Sequence, residues 1–166
     1  IGINRMSFGV QSWDDNQLKT LGRSHSAKEA VSTLNSAVSC GFNSVSADIM
    51  LGIPNDNIKR IDYFIKTMSD LGVDHISAYM LKIEKGTPFY KMNMEKYCAN
   101  DDELSDIYEY TVKSLEQQGY HQYEISNFAK DGHQSRHNTK YWELDDYIGI
   151  GASAHSFINN KRYSFS

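Results

Sequence analysis

The chain has 166 residues, 40% of them hydrophobic and 12% aromatic, enough for one domain with a sizeable core. Its net charge of −4, with Lys and Arg scattered among the acids, argues against nucleic acid or an anionic membrane surface as the main partner. No apolar run approaches a membrane span, no signal-peptide pattern opens the chain, and Cys40 and Cys98 lack zinc or cluster spacing and read as reduced thiols of a cytoplasmic protein.

The chain opens Ile-Gly-Ile-Asn-Arg without a Met and enters a strand-like run at residues 5–10 almost at once. It closes on Tyr163-Ser-Phe-Ser166 with no closing element, so it reads as a piece cut from something longer. Between these ends one grammar repeats: amphipathic helix, then Gly, then an apolar or β-branched run. The first helix begins at Ser26, with Glu29 at capping-box spacing, carries Ala30, Val31, Leu34, Ala37 and Val38 at helical intervals, and stops at Gly41. A strand over residues 44–51 follows. The second helix places Ile58, Ile61, Ile65, Met68 and Leu71 on one face and ends at Gly72, before a strand over residues 75–81. The third opens on Asn100 and Glu103, again at capping-box spacing, and runs through Leu104, Ile107, Tyr108, Thr111 and Leu115 to Gly119. It leads into an apolar run over residues 120–128.

Strands alternating with helices through short Gly turns predict βαβ units and a parallel sheet, in a partial barrel or a doubly wound fold. In both, ligands sit at the carboxyl ends of the strands. The stretches 82–100 and 129–146 read as loops at such ends. The second of them carries His137, Asn138, Tyr141 and Trp142, an imidazole, an amide, a phenol and an indole within six residues. Those side chains suit iron ligation and stacking on a flat ring, or a packed corner with a satisfied histidine. Gln11 stands at a strand end, where its amide can donate and accept, and Arg23 can clamp a carboxylate; turn filler and solvated charge are their plainer readings. Asp48 lies inside an apolar strand, which calls for a paired cation or a ligand pocket. His155, flanked by Ala154 and Ser156, reads as a core or supporting histidine.

Together these runs resemble one family, the oxygen-independent coproporphyrinogen III oxidase-like (HemN-like) radical SAM proteins. Asn4-Arg5-Met6-Ser7-Phe8-Gly9-Val10-Gln11-Ser12 resembles the family's fourth-strand motif, and Leu21-Gly22-Arg23-Ser24-His25 its next motif. Asp48-Ile49-Met50-Leu51-Gly52-Ile53-Pro54 resembles the fifth strand. His75-Ile76-Ser77-Ala78-Tyr79-Met80-Leu81 and Glu84-Lys85-Gly86-Thr87 match the sixth strand and its loop. Tyr123-Glu124-Ile125-Ser126-Asn127-Phe128-Ala129 and Gly149-Ile150-Gly151-Ala152-Ser153-Ala154-His155 extend the likeness over almost the whole chain. His137-Asn138-Thr139-Lys140-Tyr141-Trp142 is similar to the His-Asn-x-x-Tyr-Trp signature of the family's haem chaperone branch, HemW.

The resemblance implies an α/β fold, the C-terminal part of a (β/α)6 partial TIM barrel with a mostly parallel sheet and flanking helices. Residues 1–128 would be the second half of that barrel, and residues 129–166 the start of the C-terminal region. It implies S-adenosylmethionine (SAM) contacts at Gln11, Arg23 and Asp48. It also implies a haem site at His137, Tyr141 and Trp142, with His137 the iron-side residue. The implied function is haem binding and delivery to apo-haemoproteins, membrane-associated clients among them; the alternative is an oxygen-independent coproporphyrinogen III oxidase of porphyrin biosynthesis. Lys82 departs from a further adenosyl contact of the oxidases. The family's Cys-x-x-x-Cys-x-x-Cys, holder of the [4Fe–4S] cluster, is absent, so the cluster belongs to the full-length protein and this stretch should have no radical chemistry of its own. A strand edge exposed near Arg5 would invite self-association.

Overall fold

The computed structural model describes residues 2–164, and the expected open start and finish at Ile1 and Phe165–Ser166 lie outside them. The first elements are strand β1 (Arg5–Gln11), helix α1 (Asp15–Thr20), helix α2 (Ala27–Ser39), strand β2 (Ser44–Leu51), helix α3 (Ile58–Asp70) and strand β3 (His75–Met80). A one-turn helix α4 (Pro88–Lys91) and a 3-10 turn (Met94–Tyr97) precede helix α5 (Asp101–Gln117). Short strands β4 (His121–Gln122) and β5 (Asn127–Ala129), helix α6 (Arg136–Glu143) and the hairpin β6 (His155–Ile158) and β7 (Lys161–Ser164) complete the order. The chain divides into two compact units, Ile1–His133 and Gln134–Ser166.

In the first unit the sheet order is β1-β2-β3-β5-β4. The long strands β1, β2 and β3 pair in parallel, whereas β5 runs antiparallel to β3 and β4 antiparallel to β5. The sheet is therefore mixed and mostly parallel, with β1 at one edge.

The helices form where capping and periodicity coincide. Ser26 Oγ accepts from Glu29 N at 3.3 Å while Glu29 Oε2 accepts from Ser26 N at 2.8 Å, satisfying two otherwise orphaned donors of α2. Asn100 and Glu103 do the same for α5, at 3.0 Å in each direction. Helix α3 ends on Gly72, whose φ of +77° would strain any residue with a Cβ.

Alternation on β2 then decides the layers. Val45, Ala47, Ile49 and Leu51 share one face and are at most 1% exposed. They join one apolar core with Leu34 of α2, Ile61, Phe64, Ile65 and Met68 of α3, and Ile107 and Leu115 of α5. Each large side chain buried this way contributes roughly 1.5–3 kcal/mol. Tyr120 is buried with them and satisfies its hydroxyl on Val73 O at 2.8 Å. With one face of the sheet under helices, the polar residues of the strands are forced onto the other.

Two stretches expected as loops are more ordered than that. Part of 82–100 forms α4 and the 3-10 turn, with Pro88 opening the helix after the Thr87 cap. Part of 129–146 forms α6, capped by Ser135, whose side chain accepts from Asn138 N. The aromatic cluster therefore stands on a helix.

Candidate functional site

The polar face of the sheet is laid out by strand register. Ser7 pairs with Ser46 and Ser46 with His75; Asp48 pairs with Ser77 and Ser77 with Asn127. Neighbouring partners share a face, so these side chains form two polar rows across β1, β2, β3 and β5. Ser7 and Ser77 donate to the Asp48 carboxylate, and Arg23 and Arg5 act on it electrostatically. Burial nevertheless dominates and raises the Asp48 pKa above the ordinary carboxylate range. In the next row His75, 2% exposed, is held at both ring nitrogens: Ser46 Oγ lies 2.7 Å from Nδ1 and Tyr123 Oη 2.8 Å from Nε2. Arg5 Nη1 donates to Ser44 Oγ at 2.7 Å and His133 O at 3.1 Å.

Gln11 ends β1 with a φ of 69° and is 4% exposed. That left-handed backbone turns its amide back over Gly9. A Cβ on Gly9 would crowd Gln11 Nε2 at 3.0 Å, while Arg23 Nη1 at 3.8 Å would stay at ordinary contact distance, so glycine eases the approach of the Gln11 amide to the strand. Gln11 Oε1 is buried with no hydrogen-bond partner. A buried carbonyl without a donor is costly, and a ligand N–H or O–H is one way to satisfy it. Gln11, Arg23 and Asp48, far apart in sequence, are thus brought to one neighbourhood: Arg23 links Gly9 and Gln11 on one side to the Asp48 carboxylate on the other. The orphaned amide oxygen, the close-approach glycine and the carboxylate together fit a polar nucleoside.

Sequence reasoning missed the clip that holds this strand end. Arg60 on α3 meets Asp56 at 2.6 Å and 2.8 Å, and its Nη2 donates to Met50 O at 2.8 Å and Nη1 to Gln11 O at 3.3 Å. The spacing of Asp56 and Arg60, i and i+4 at the start of a helix, was the available signal. Gln17 adds a second tie, accepting from Ser12 Oγ at 2.6 Å and donating to Pro54 O and Asn55 O. His75 was also missed, because its partners become visible only through the register.

In the second unit, α6 presents His137 and Tyr141 one turn apart. Tyr141 Oη lies 2.7 Å from His137 Nε2, and the rings meet edge-on at 4.9 Å. Tyr141 continues edge-on to Tyr147 at 4.7 Å, and Tyr147 stacks on Phe157 at 6.1 Å. Backbone bonds between Tyr147 and Phe157, 2.8 Å and 2.9 Å, tie this ring series to the hairpin. Trp142 is on the same helix, 54% exposed, and has no part in the ring series. His155, expected in a core or supporting position, is exposed, while its neighbour Ser156 is buried; the alternation of β6 turns the imidazole outward. Exposed imidazole and phenol beside aromatic walls suit a flat, metal-bearing ring. An iron–sulfur cluster does not fit: among the described residues no three His, Cys, Asp or Glu side chains gather as a metal site.

No protein-family model matches the chain. It is 39% identical over 164 residues to the heme chaperone HemW of Bacillus subtilis, covering 97% of this chain and 43% of that protein. With the Escherichia coli heme chaperone HemW it shares 40% over 157 residues, 95% of this chain and 41% of the relative. The mitochondrial radical S-adenosyl methionine domain-containing protein 1 of Bos taurus is 39% identical over 156 residues, 93% and 35% respectively. Among solved structures, the fold matches coproporphyrinogen III oxidase (HemN) of Escherichia coli with a TM-score of 0.74 at 22% identity, over 95% of this chain and 39% of that one. The chain spans about two-fifths of the length of these HemW relatives, 43% and 41%. Sequence likeness and fold agree, and the chain belongs to the HemN-like radical SAM family, among its HemW-type members.

Proposed function

We propose that this chain is the haem-binding and cofactor-contacting later part of a haem chaperone that delivers haem to apo-haemoproteins in the cytoplasm. The observation that carries the reading is the ring series from α6 to β6, His137 to Tyr141 to Tyr147 to Phe157, in a chain whose relatives are named heme chaperones. His137 is the iron-side residue, oriented by the Tyr141 hydroxyl, and Tyr141 and Trp142 supply the flat walls. Membership of the radical SAM family implies SAM and a [4Fe–4S] cluster in the full-length proteins. In this reading β1, β2 and β3 are the later parallel strands of a (β/α)6 partial barrel, and their polar rows face its interior. Gln11, Arg23 and Asp48 contact SAM there: the Gln11 amide oxygen takes a donor, and the Asp48 carboxylate accepts from a hydroxyl.

The test is a haem titration of the chain beside His137→Ala, followed in the Soret region. A saturable shift that weakens by about tenfold in the variant is expected, the loss of one good ligand. The same shift in both proteins, or none in the parent chain, would overturn His137 as the iron-side residue. Anaerobic conversion of coproporphyrinogen by the cluster-loaded full-length protein would favour the oxidase instead.

A further inference from the structure

Two grooves in the second unit share Lys140 and Tyr147. One, of about 680 Å³, includes Arg136, His137 and the acid Asp146. The other, of about 630 Å³, has no acidic residue in its lining. Its walls are Tyr141, Tyr147 and Phe157, and its polar groups are Lys140, His155 and Arg162. An acid-free groove with two permanent cations is unexpected in a chain with 21 acids and 17 Lys and Arg. The arrangement follows from the hairpin: Phe157 on β6 pairs with Arg162 on β7, and Tyr147 bridges to Phe157 from the other side. Lys140 sits one residue before Tyr141 on α6. Aromatic walls, a volume in the usual range for cofactor pockets and two exposed cations call for a flat apolar ligand bearing carboxylates.

Resting on the haem-binding reading, we infer that this groove holds the carboxylate-bearing edge of a porphyrin, with Lys140 and Arg162 pairing with its carboxylates and His155 offering an imidazole to its metal. The groove distinguishes a porphyrin diacid from its diester, which presents the same ring without the charges. His155 gives the site a second imidazole beside His137. Lys140, Arg162 and His155 are exposed, so neutral replacements leave the fold intact.

The experiment titrates the chain with iron(III) protoporphyrin, metal-free protoporphyrin and the metal-free dimethyl ester, followed by absorbance and by quenching of Trp and Tyr fluorescence. The diacid is expected to bind about tenfold more tightly than the diester. Lys140→Gln with Arg162→Gln should remove that difference, weakening both diacids while leaving the diester unchanged. His155→Ala should alter the Soret band of the iron form and leave metal-free binding as it was. Equal affinity for diacid and diester, or a double variant that still prefers the diacid, would overturn the carboxylate assignment. An unaltered Soret band in His155→Ala would overturn the metal assignment. The two readings separate cleanly: if His137→Ala changes nothing while the double variant loses diacid preference, the iron-side assignment of His137 fails and the groove stands. Failure of the chain to bind either diacid would overturn the groove itself.

Discussion

His75 sits on the polar face of the sheet, 2% exposed, between Ser46 and Tyr123. Burial lowers its pKa from 6.5 to about 3, and the nearby Arg5 guanidinium pushes in the same direction. The native ring stays neutral, one nitrogen donating and the other accepting, whereas the unfolded chain takes up a proton near pH 6.5. Between those values the unfolded state binds more protons. The stability due to this group is therefore complete above pH 6.5 and is lost as pH falls toward 3, about 2 kcal/mol of it by pH 5. Asp48, its pKa raised by burial, works in the opposite sense, so the comparison needs a variant. Urea unfolding should show the chain weakening from pH 7 to pH 5, and His75→Gln should flatten that dependence. An equal pH dependence in both would mean that His75 titrates normally in the folded state.

At the junction of β1, β2 and α3 lies the most buried ion pair among the described residues. The Arg60 and Asp56 side chains are 8% and 1% exposed, and between them they satisfy the Met50 and Gln11 carbonyls and the Gly52 amide. This clip spans the strand end at which Gln11 adopts its left-handed turn, linking helix placement to the geometry of the candidate cofactor contact. Arg60→Gln would strand the Asp56 carboxylate and should destabilise the chain by about 3–5 kcal/mol in chemical unfolding. Adding Asp56→Asn should recover part of that loss. A single-variant cost below about 1 kcal/mol would mean that water already screens the pair. The helices themselves were legible: Ser26 with Glu29 and Asn100 with Glu103 form the capping boxes that their spacing predicts. Helix α6 was hidden because its residues were read for chemistry, although Ser135 supplies its cap. The antiparallel return of β4 and β5 was equally hidden, since strands of two and three residues leave almost no periodicity to read.

For the molecule as a whole, the sheet has one face under α2, α3 and α5 and one polar face, and the second unit carries the aromatic helix and hairpin. Asp48 was read as lying inside an apolar strand; in the structure the apolar residues of β2 alternate toward the helices and leave Asp48 on the far side. What alternation does not carry is register, and register brings Ser7, Ser46 and His75 into one row and Asp48, Ser77 and Asn127 into the next. The approach of Gln11 and Arg23 over Gly9 depends likewise on a φ of 69° at Gln11, which no pattern of residue types announces. In the second unit the sequence marked His137 and Tyr141, while the hairpin that adds His155 and Arg162 to the groove is a tertiary fact.

Haem binding by the second unit, as proposed, rests on the rings of α6 and the hairpin. The most direct test is amide chemical-shift mapping of the isotopically labelled chain with a diamagnetic gallium protoporphyrin. Saturable shifts centred on His137, Tyr141, Tyr147, His155 and Arg162 are expected. Saturable binding with those amides unmoved, or no binding at all, would contradict the proposal.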